Sequence, residues 1–505
     1  MDSKPTAAEK ASPSEKLKVL GSGPIVPLLF RFAWPAIVTM SLHVLYNIVD
    51  RIYIGQGCGT DAIAGLALTA PIAMALGAVG VFIGAGTSSV LSIKLGEKDM
   101  AGAERTLGQL VAMKLLFGIL VPPLLYFLGL NPILHYMAGD GATAATLGYA
   151  HQYVTITIFF NLFAHLAFGL SATMRCEGAP RVSMVCMVIG AVANILLDPL
   201  FIYDAIPVTF GVLQTPLFTI PGLGLRVAGA AWATNIAMML SCAAGLWYYL
   251  SGSSAVRLRA SRVRLYSDLA PRVMAIGLAP FLMQLTGSLI NFSLNHSFAH
   301  WSPTPEEGSL QIAAFGIYMS AMFLFGMPCQ GVQQGLAPII GYNWGAKDYR
   351  RVRRAFDIGL GLTGAATLLA CLGAECFARP LARCFTDDPA GIAAAVRGLR
   401  VANFFFWTIF VNVAATTYYQ SVGRPKMSIL FSLLRQCLVL LPIVWLLPRI
   451  IGGTAFAAWI EAHLGMNACI FAVWTAMPIS DLVTQAVNLP FVFKERRALR
   501  KMAER

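Results

Sequence analysis

The stretch AIAGLALTAPIAMALGAVGVFIGAGTSSVLSI, residues 62–93, carries no Asp, Glu, Lys or Arg between Asp61 and Lys94. One bilayer crossing needs about 20 apolar residues at ~1.5 Å rise per residue. This run is long enough to cross and too long for a core strand or core helix of a soluble domain. Working outward, comparable runs lie at 25–54, 106–130, 147–173, 182–203, 227–251, 269–299, 311–342, 355–377, 396–421, 427–448 and 468–492. Several exceed the length of one crossing and are expected to tilt or kink. The composition agrees: 57% of the chain is hydrophobic and only 12% is charged, where a soluble protein carries roughly a quarter. The fold class is therefore all-α integral membrane, with twelve transmembrane helices.

Net charge is +13, from 37 Lys and Arg against 24 Asp and Glu. The basic residues sit in short segments between apolar runs, which is the pattern of membrane topology and not of a nucleic-acid surface. With the N-terminus placed inside, the inner segments hold 28 of them and the outer segments 7, while Lys114 and Arg435 lie within helices. That bias puts both termini in the cytoplasm and requires an even number of spans. The ten cysteines show no CxxC or zinc-ligand spacing, and several, such as Cys186 and Cys242, read as small hydrophobes. Met1–Gly23 is polar, lacks the apolar core of a signal peptide, and reads as a disordered tail. No His-box, HExxH, GxSxG or Walker A pattern is present, so neither an enzyme nor an ATP-driven pump is indicated.

The two halves of the chain resemble each other. Leu95-Gly-Glu-Lys-Asp99 aligns with Trp344-Gly-Ala-Lys-Asp348, Pro132–Asp140 with Pro380–Asp388, and Gly178-Ala-Pro-Arg181 with Gly423-Arg-Pro-Lys426. Each half holds six spans, so both insert the same way up, a standard transporter plan. The expected domains are a cytoplasmic tail at 1–24, a six-helix bundle at 25–250, a basic cytoplasmic linker at 251–268, a second six-helix bundle at 269–492 and a basic tail at 493–505.

Further motifs carry a family signal. Trp34-Pro35 opens helix 1 and Tyr46-Asn-Ile-Val-Asp50 closes it. Arg175-Cys-Glu-Gly178 follows helix 4, Asn194-Ile-Leu-Leu-Asp198-Pro199-Leu-Phe-Ile202 lies on helix 5, Gly229-Ala-Ala-Trp-Ala-Thr234 on helix 6, and Gly341-Tyr-Asn-Trp-Gly-Ala-Lys-Asp348 after helix 8. From about Pro27 to Lys494 the chain resembles the multidrug and toxic compound extrusion (MATE) family of the multidrug/oligosaccharidyl-lipid/polysaccharide flippase superfamily. The resemblance implies two pseudo-symmetric six-helix bundles arranged as a V. It also implies export of mostly cationic, amphipathic compounds against inward H+ or Na+.

Charge inside a membrane costs about 2.5–3.5 kcal/mol per residue on insertion scales, so each instance asks for a role. His43, Tyr46, Asn47 and Asp50 are spaced i, i+3, i+4, i+7 and form one polar stripe, whose Asp50 lies fifteen residues after the helix-weakening Pro35. Asp50 reads either as a site residue or as an interfacial acid beside Arg51. Asn194 and Asp198 share a face at i, i+4, and Asp198 reads either as a ligand or as a helix-ending residue before Pro199. The resemblance groups Asp50, Asn194 and Asp198 as a proton- or cation-binding cluster, with Thr234 beside them; these would be the metal ligands if Na+ is the coupling ion. Two carboxylates in a dry pocket repel, which favours uptake of a cation or a proton by one of them. Substrate-cavity candidates are His43, Tyr46, Asn47, Met283, Gln284 and Asn291, with His43 equally suited to helix packing. Pro35 is the candidate hinge. Under the repeat, Asp50 maps to Asn295, Asn194 to Val439 and Asp198 to Ile443, so coupling is expected in the N-terminal half alone. Asp481 and Arg435 read either as a buried pair or as separate snorkelling charges.

The expected function is secondary active export of small organic compounds against H+ or Na+, with no other cofactor. A flippase for lipid-linked oligosaccharides is the alternative. The expected setting is a bacterial inner membrane, as a multi-pass monomer.

Overall fold

The computed structural model describes residues 13–138, 143–208 and 218–504; residues 1–12 of the expected tail and 139–140 at the end of one repeat match lie outside them. Among the described residues, eleven helices are long and apolar enough to span a membrane: α1 (Ile25–Cys58), α2 (Asp61–Gly96), α3 (Met100–Leu128), α4 (Ala144–Cys176), α5 (Pro180–Ile202), α6 (Arg226–Leu250), α7 (Ala270–Trp301), α8 (Pro305–Gly345), α9 (Tyr349–Cys376), α11 (Pro425–Ile451) and α12 (Ala468–Glu504). The remaining span, α10, is two pieces, Pro389–Asn403 and Phe406–Ser421, bent by 44°. Counting it as one gives twelve, in the order expected from the apolar runs.

Three features depart from the sequence reading. Pro13–Ser22 is a helix, where the composition suggested no structure. The link between α5 and α6 contains an antiparallel strand pair, β1 (Ala205–Val208) and β2 (Phe218–Pro221). The basic tail from 493 continues α12 as far as Glu504.

The repeat reappears as matching backbone. Lys98 and Lys347 both have positive φ, 60° and 59°. Each precedes an aspartate that caps the next helix: Asp99 accepts from the Gly102 N–H (2.8 Å) and Asp348 from the Arg351 N–H (3.0 Å). Helix N-termini leave backbone donors unpaired, and an acidic side chain satisfies one of them. The cap and the nearby Lys94 hold the Asp99 carboxyl below its usual range, the Gly102 bond contributing most. Gly178 and Gly423, at the next matched position, also share positive φ.

Two compact units result: Val38–Gly277 with the residues up to Gly23, and Leu278–Arg505 with Pro24–Ile37. The division thus differs from a cut in the linker, because it falls within α1 and α7. Glycines explain where the opening segments of these helices go. A Cβ on Gly335 of α8 would lie 2.8 Å from the backbone nitrogen of Ala33, and one on Gly331 3.1 Å from that of Ile37. In the first unit, Gly86 of α2 lies against the Val273 carbonyl and Gly277 of α7 against that of Phe82. Missing Cβ atoms permit backbone contact at all four places.

The linker is fastened to the rest of the first unit by hydrogen bonds and an ion pair. Buried Glu177 accepts from the N–H groups of Ala255 (2.8 Å) and Val256 (3.1 Å). Buried Gln109 accepts from the Tyr266 N–H at 2.7 Å, and Arg105 pairs with Asp268 at 2.8 Å while its guanidinium lies over the Tyr266 ring. Arg175 meanwhile donates to Ser171 and Ser183.

Candidate functional site

Helices α1, α5 and α6 meet in the first unit through two apolar layers. Tyr46 packs with Ala191 and Met238, and two turns along Ile54 packs with Ile202, Val227 and Ala230. Between these layers the sequence places its polar residues: Asp50 on α1, Asn194 and Asp198 on α5, Thr234 on α6. Asp50 is buried and α1 runs on to Cys58, so this acid does not end its helix. Asp198 also lies within α5, which continues past Pro199 to Ile202. Proline removes one backbone hydrogen bond and crowds the carbonyl four residues back, and α5 ends three residues after Pro199.

Asn194 organises the site. Its amide Nδ2 donates to Asp198 Oδ1 at 2.9 Å and to Thr234 Oγ1 at 3.3 Å. That leaves three buried acceptors without a donor: Asp50 Oδ1, Asn194 Oδ1 and Asp198 Oδ2. Buried polar atoms are nearly always satisfied, and each exception asks for an explanation. Here they share one chemistry, oxygen lone pairs with net negative charge, and the two carboxylates are within electrostatic reach of each other. Such a group favours a bound proton or a small hard cation. Among the described residues no three His, Cys, Asp or Glu form a transition-metal cluster.

The structure therefore brings Asp50, Asn194, Asp198 and Thr234 to one region. Tyr153 on α4 is an addition that sequence reasoning missed: it lies in the field of both Asp50 and Asp198, as does Tyr46. A tyrosine within an apolar helix gives little warning of such a position. Along the α1 stripe, His43 Nδ1 hydrogen-bonds the Tyr46 hydroxyl at 2.8 Å, with Phe168 edge-on to the imidazole. Asn47, exposed, donates to the His43 carbonyl at 2.6 Å. Met283, Gln284 and Asn291 belong to α7 in the second unit. There Met283 is exposed, Gln284 half-buried, and Asn291 donates to the Gly287 carbonyl at 2.9 Å. Pro35 sits inside α1, which is helical on both sides of it. Arg435 and Asp481 form an ion pair in the second unit, which decides between the two readings left open.

The MatE family model matches the chain twice, over residues 35–200 and 281–446, in segments of equal length. The chain belongs to the MATE family of multidrug efflux transporters. The multidrug export protein MepA of Staphylococcus aureus is 24% identical over 444 residues, covering 87% of this chain and 91% of MepA. MepA of Staphylococcus saprophyticus is 24% identical over 427 residues, covering 84% and 88%. The MATE multidrug transporter DinF-BH is 30% identical with a TM-score of 0.78, covering 94% of this chain and 97% of that one. A MATE protein in a bent conformation superposes with a TM-score of 0.82 at 20% identity, covering 97% and 99%. Both family matches end before α6 and α12 respectively, so Thr234 and Asp481 lie outside them while Asp50, Asn194 and Asp198 lie inside.

Proposed function

We propose that this MATE transporter is a secondary exporter that moves small, mostly cationic and amphipathic compounds outward while H+ or Na+ flows inward through Asp50, Asn194, Asp198 and Thr234. The observation that carries the reading is the set of three buried oxygens without donors in a net-negative cluster on candidate membrane-spanning helices. A cation or proton entering there relieves the repulsion between Asp50 and Asp198, and its departure restores it. The transport cycle uses that alternation: the outward-bound compound and the inward-bound ion take turns, so the ion gradient supplies the drive. Neutralising Asp50 lets α1 repack, with Pro35 as the point where its backbone ladder is weakest. His43, Tyr46 and Asn47 on α1 and Met283, Gln284 and Asn291 on α7 are the proposed substrate contacts; polarizable and aromatic groups suit unlike cations. The relatives support export of more than one drug, since MepA is named a multidrug export protein and DinF-BH a multidrug transporter. The proposed setting is the inner membrane of a bacterium, with both termini cytoplasmic and one chain sufficient.

Dye accumulation in everted vesicles, whose outer face is the cytoplasmic one, tests the reading. The expected result is export that needs an imposed ion gradient, and collapses with a protonophore if H+ is the coupling ion or without Na+ if that is. Export that proceeds with neither gradient would reject coupling.

A further inference from the structure

The second unit holds a buried acid that the repeat does not reveal. Asp481 on α12 is 1% exposed and pairs through Oδ1 with Arg435 on α11, whose side chain is 21% exposed. Its other oxygen, Oδ2, is buried and has no donor. Asp481, Thr484, Gln485 and Asn488 are spaced i, i+3, i+4, i+7, so they form one stripe of α12. All four are buried, and all four carry side-chain atoms with no partner: besides Asp481 Oδ2 these are Thr484 Oγ1, both amide atoms of Gln485, and Asn488 Oδ1. Asn488 Nδ2 donates to Asn412 Oδ1 at 2.9 Å. A stripe of apolar residues would pack as well without this cost, since a buried unmade hydrogen bond costs ~1–3 kcal/mol.

Arg435 sits on an unusual piece of backbone. Residues Leu434–Leu440 form a π-helical turn within α11, and Ser480, adjacent to Asp481, donates its hydroxyl to the Arg435 carbonyl at 2.9 Å. Such turns are rare and recur at functional sites. The charged or titratable groups within electrostatic reach of Asp481, among the described residues, are Arg435 on α11 and Tyr318 on α8.

We propose that Asp481 is the centre of a second cation site, in the C-terminal unit, at which a small monovalent cation, H+ or Na+, replaces Arg435 as the counter-charge. With the pair closed, the guanidinium neutralises the carboxylate. When a cation arrives, Arg435 withdraws toward the exposed side and the π turn relaxes. A proton then adds to a carboxylate oxygen, or Na+ takes oxygen ligands from Asp481, Thr484 and Gln485. Either exchange leaves the buried region neutral, as a low-dielectric interior requires. Arg435 acts as a tethered competitor that sets how readily the mobile cation enters. This site is separate from the Asp50 cluster, and its existence does not depend on that cluster's role.

The test uses full-length protein carrying Asp50→Asn and Asp198→Asn, so that the first site is silent. Proton uptake after a pH jump in weak buffer is one arm; retention of radioactive Na+ at fixed pH is the other. The expected result is that adding Asp481→Asn removes one bound proton or one bound Na+ per chain, the arm that changes naming the ion. Arg435→Gln, which removes the competitor and keeps the acid, shifts the same binding to lower cation concentration. It also serves if Asp481→Asn fails to fold. If Arg435→Gln leaves both arms unchanged, or if the Asp481→Asn protein folds and binds as many H+ and Na+ as its parent, the proposal is overturned.

Discussion

Asn194 and Asp198 lie one turn apart on α5, and the amide of the first donates to the carboxylate of the second at 2.9 Å while also reaching Thr234 on α6. One amide thereby fixes the direction of an acid and the approach of a neighbouring helix. Asn194→Leu removes both bonds while keeping a side chain of similar reach. The expected outcome is loss of gradient-driven efflux with a stability decrease of about 1–3 kcal/mol from the unsatisfied carboxylate. Efflux assays beside thermal unfolding in detergent check it, and wild-type behaviour in both would remove Asn194 from the site.

Glu177 is predicted to hold the linker through the N–H groups of Ala255 and Val256. Glu177→Ala therefore exposes residues 251–268 to protease, whereas Glu177→Gln keeps one acceptor oxygen and much of the protection. Limited proteolysis in detergent, read as cutting rate in this segment, distinguishes the three proteins. Equal rates would mean that the linker is held by other contacts.

The Asp99 cap makes a pH prediction. Its carboxyl is depressed in the folded chain, chiefly by the Gly102 N–H. The stabilisation is therefore fully present above the unfolded carboxylate's range and is lost as pH falls through the lower folded value. Asp99→Ala is expected to cost about 1 kcal/mol at neutral pH, and Asp99→Asn much less, since asparagine also caps. The difference between wild type and Asp99→Ala should shrink in acid; melting curves at neutral and acidic pH measure it.

Gly335 offers a packing test. Any side chain there meets the α1 backbone at Ala33, so Gly335→Val is expected to lower the melting temperature and expression. Gly316, with open space around its missing Cβ, is the control, and Gly316→Ala should be close to neutral. Equal effects at both positions would contradict the close approach of α1.

Much of this was legible from the chain itself. Uncharged runs such as 62–93 gave the spans because a bilayer imposes length and apolarity directly. The Lys98-Asp99 and Lys347-Asp348 pairs were visible as a repeat match, while their left-handed lysines and capping aspartates came only with the backbone. Asp50, Asn194 and Asp198 were legible because polar residues on apolar helices are rare. What escaped was what depends on neighbours distant in sequence. Tyr153 gains its place only when α4 lies near α1 and α5. Asp481 stood out beside Arg435, but the stripe it opens, through Thr484 and Gln485 to Asn488, looked ordinary until its atoms proved buried without partners. The bend in α10 follows no proline: the 3-10 turn at Phe406–Ile409 sits where Phe404 and Phe405 interrupt the ladder, and periodicity does not announce such a break.

The central claim is that the Asp50–Asp198 cluster carries the coupling. Substrate export, read as uptake into everted vesicles under an imposed H+ or Na+ gradient, measures it directly in wild type, Asp50→Asn and Asp198→Asn. Neutral amides exchange no proton and hold Na+ less well, so each variant should bind dye yet show no gradient-driven efflux. Gradient-dependent efflux at wild-type rates in both variants would contradict the account.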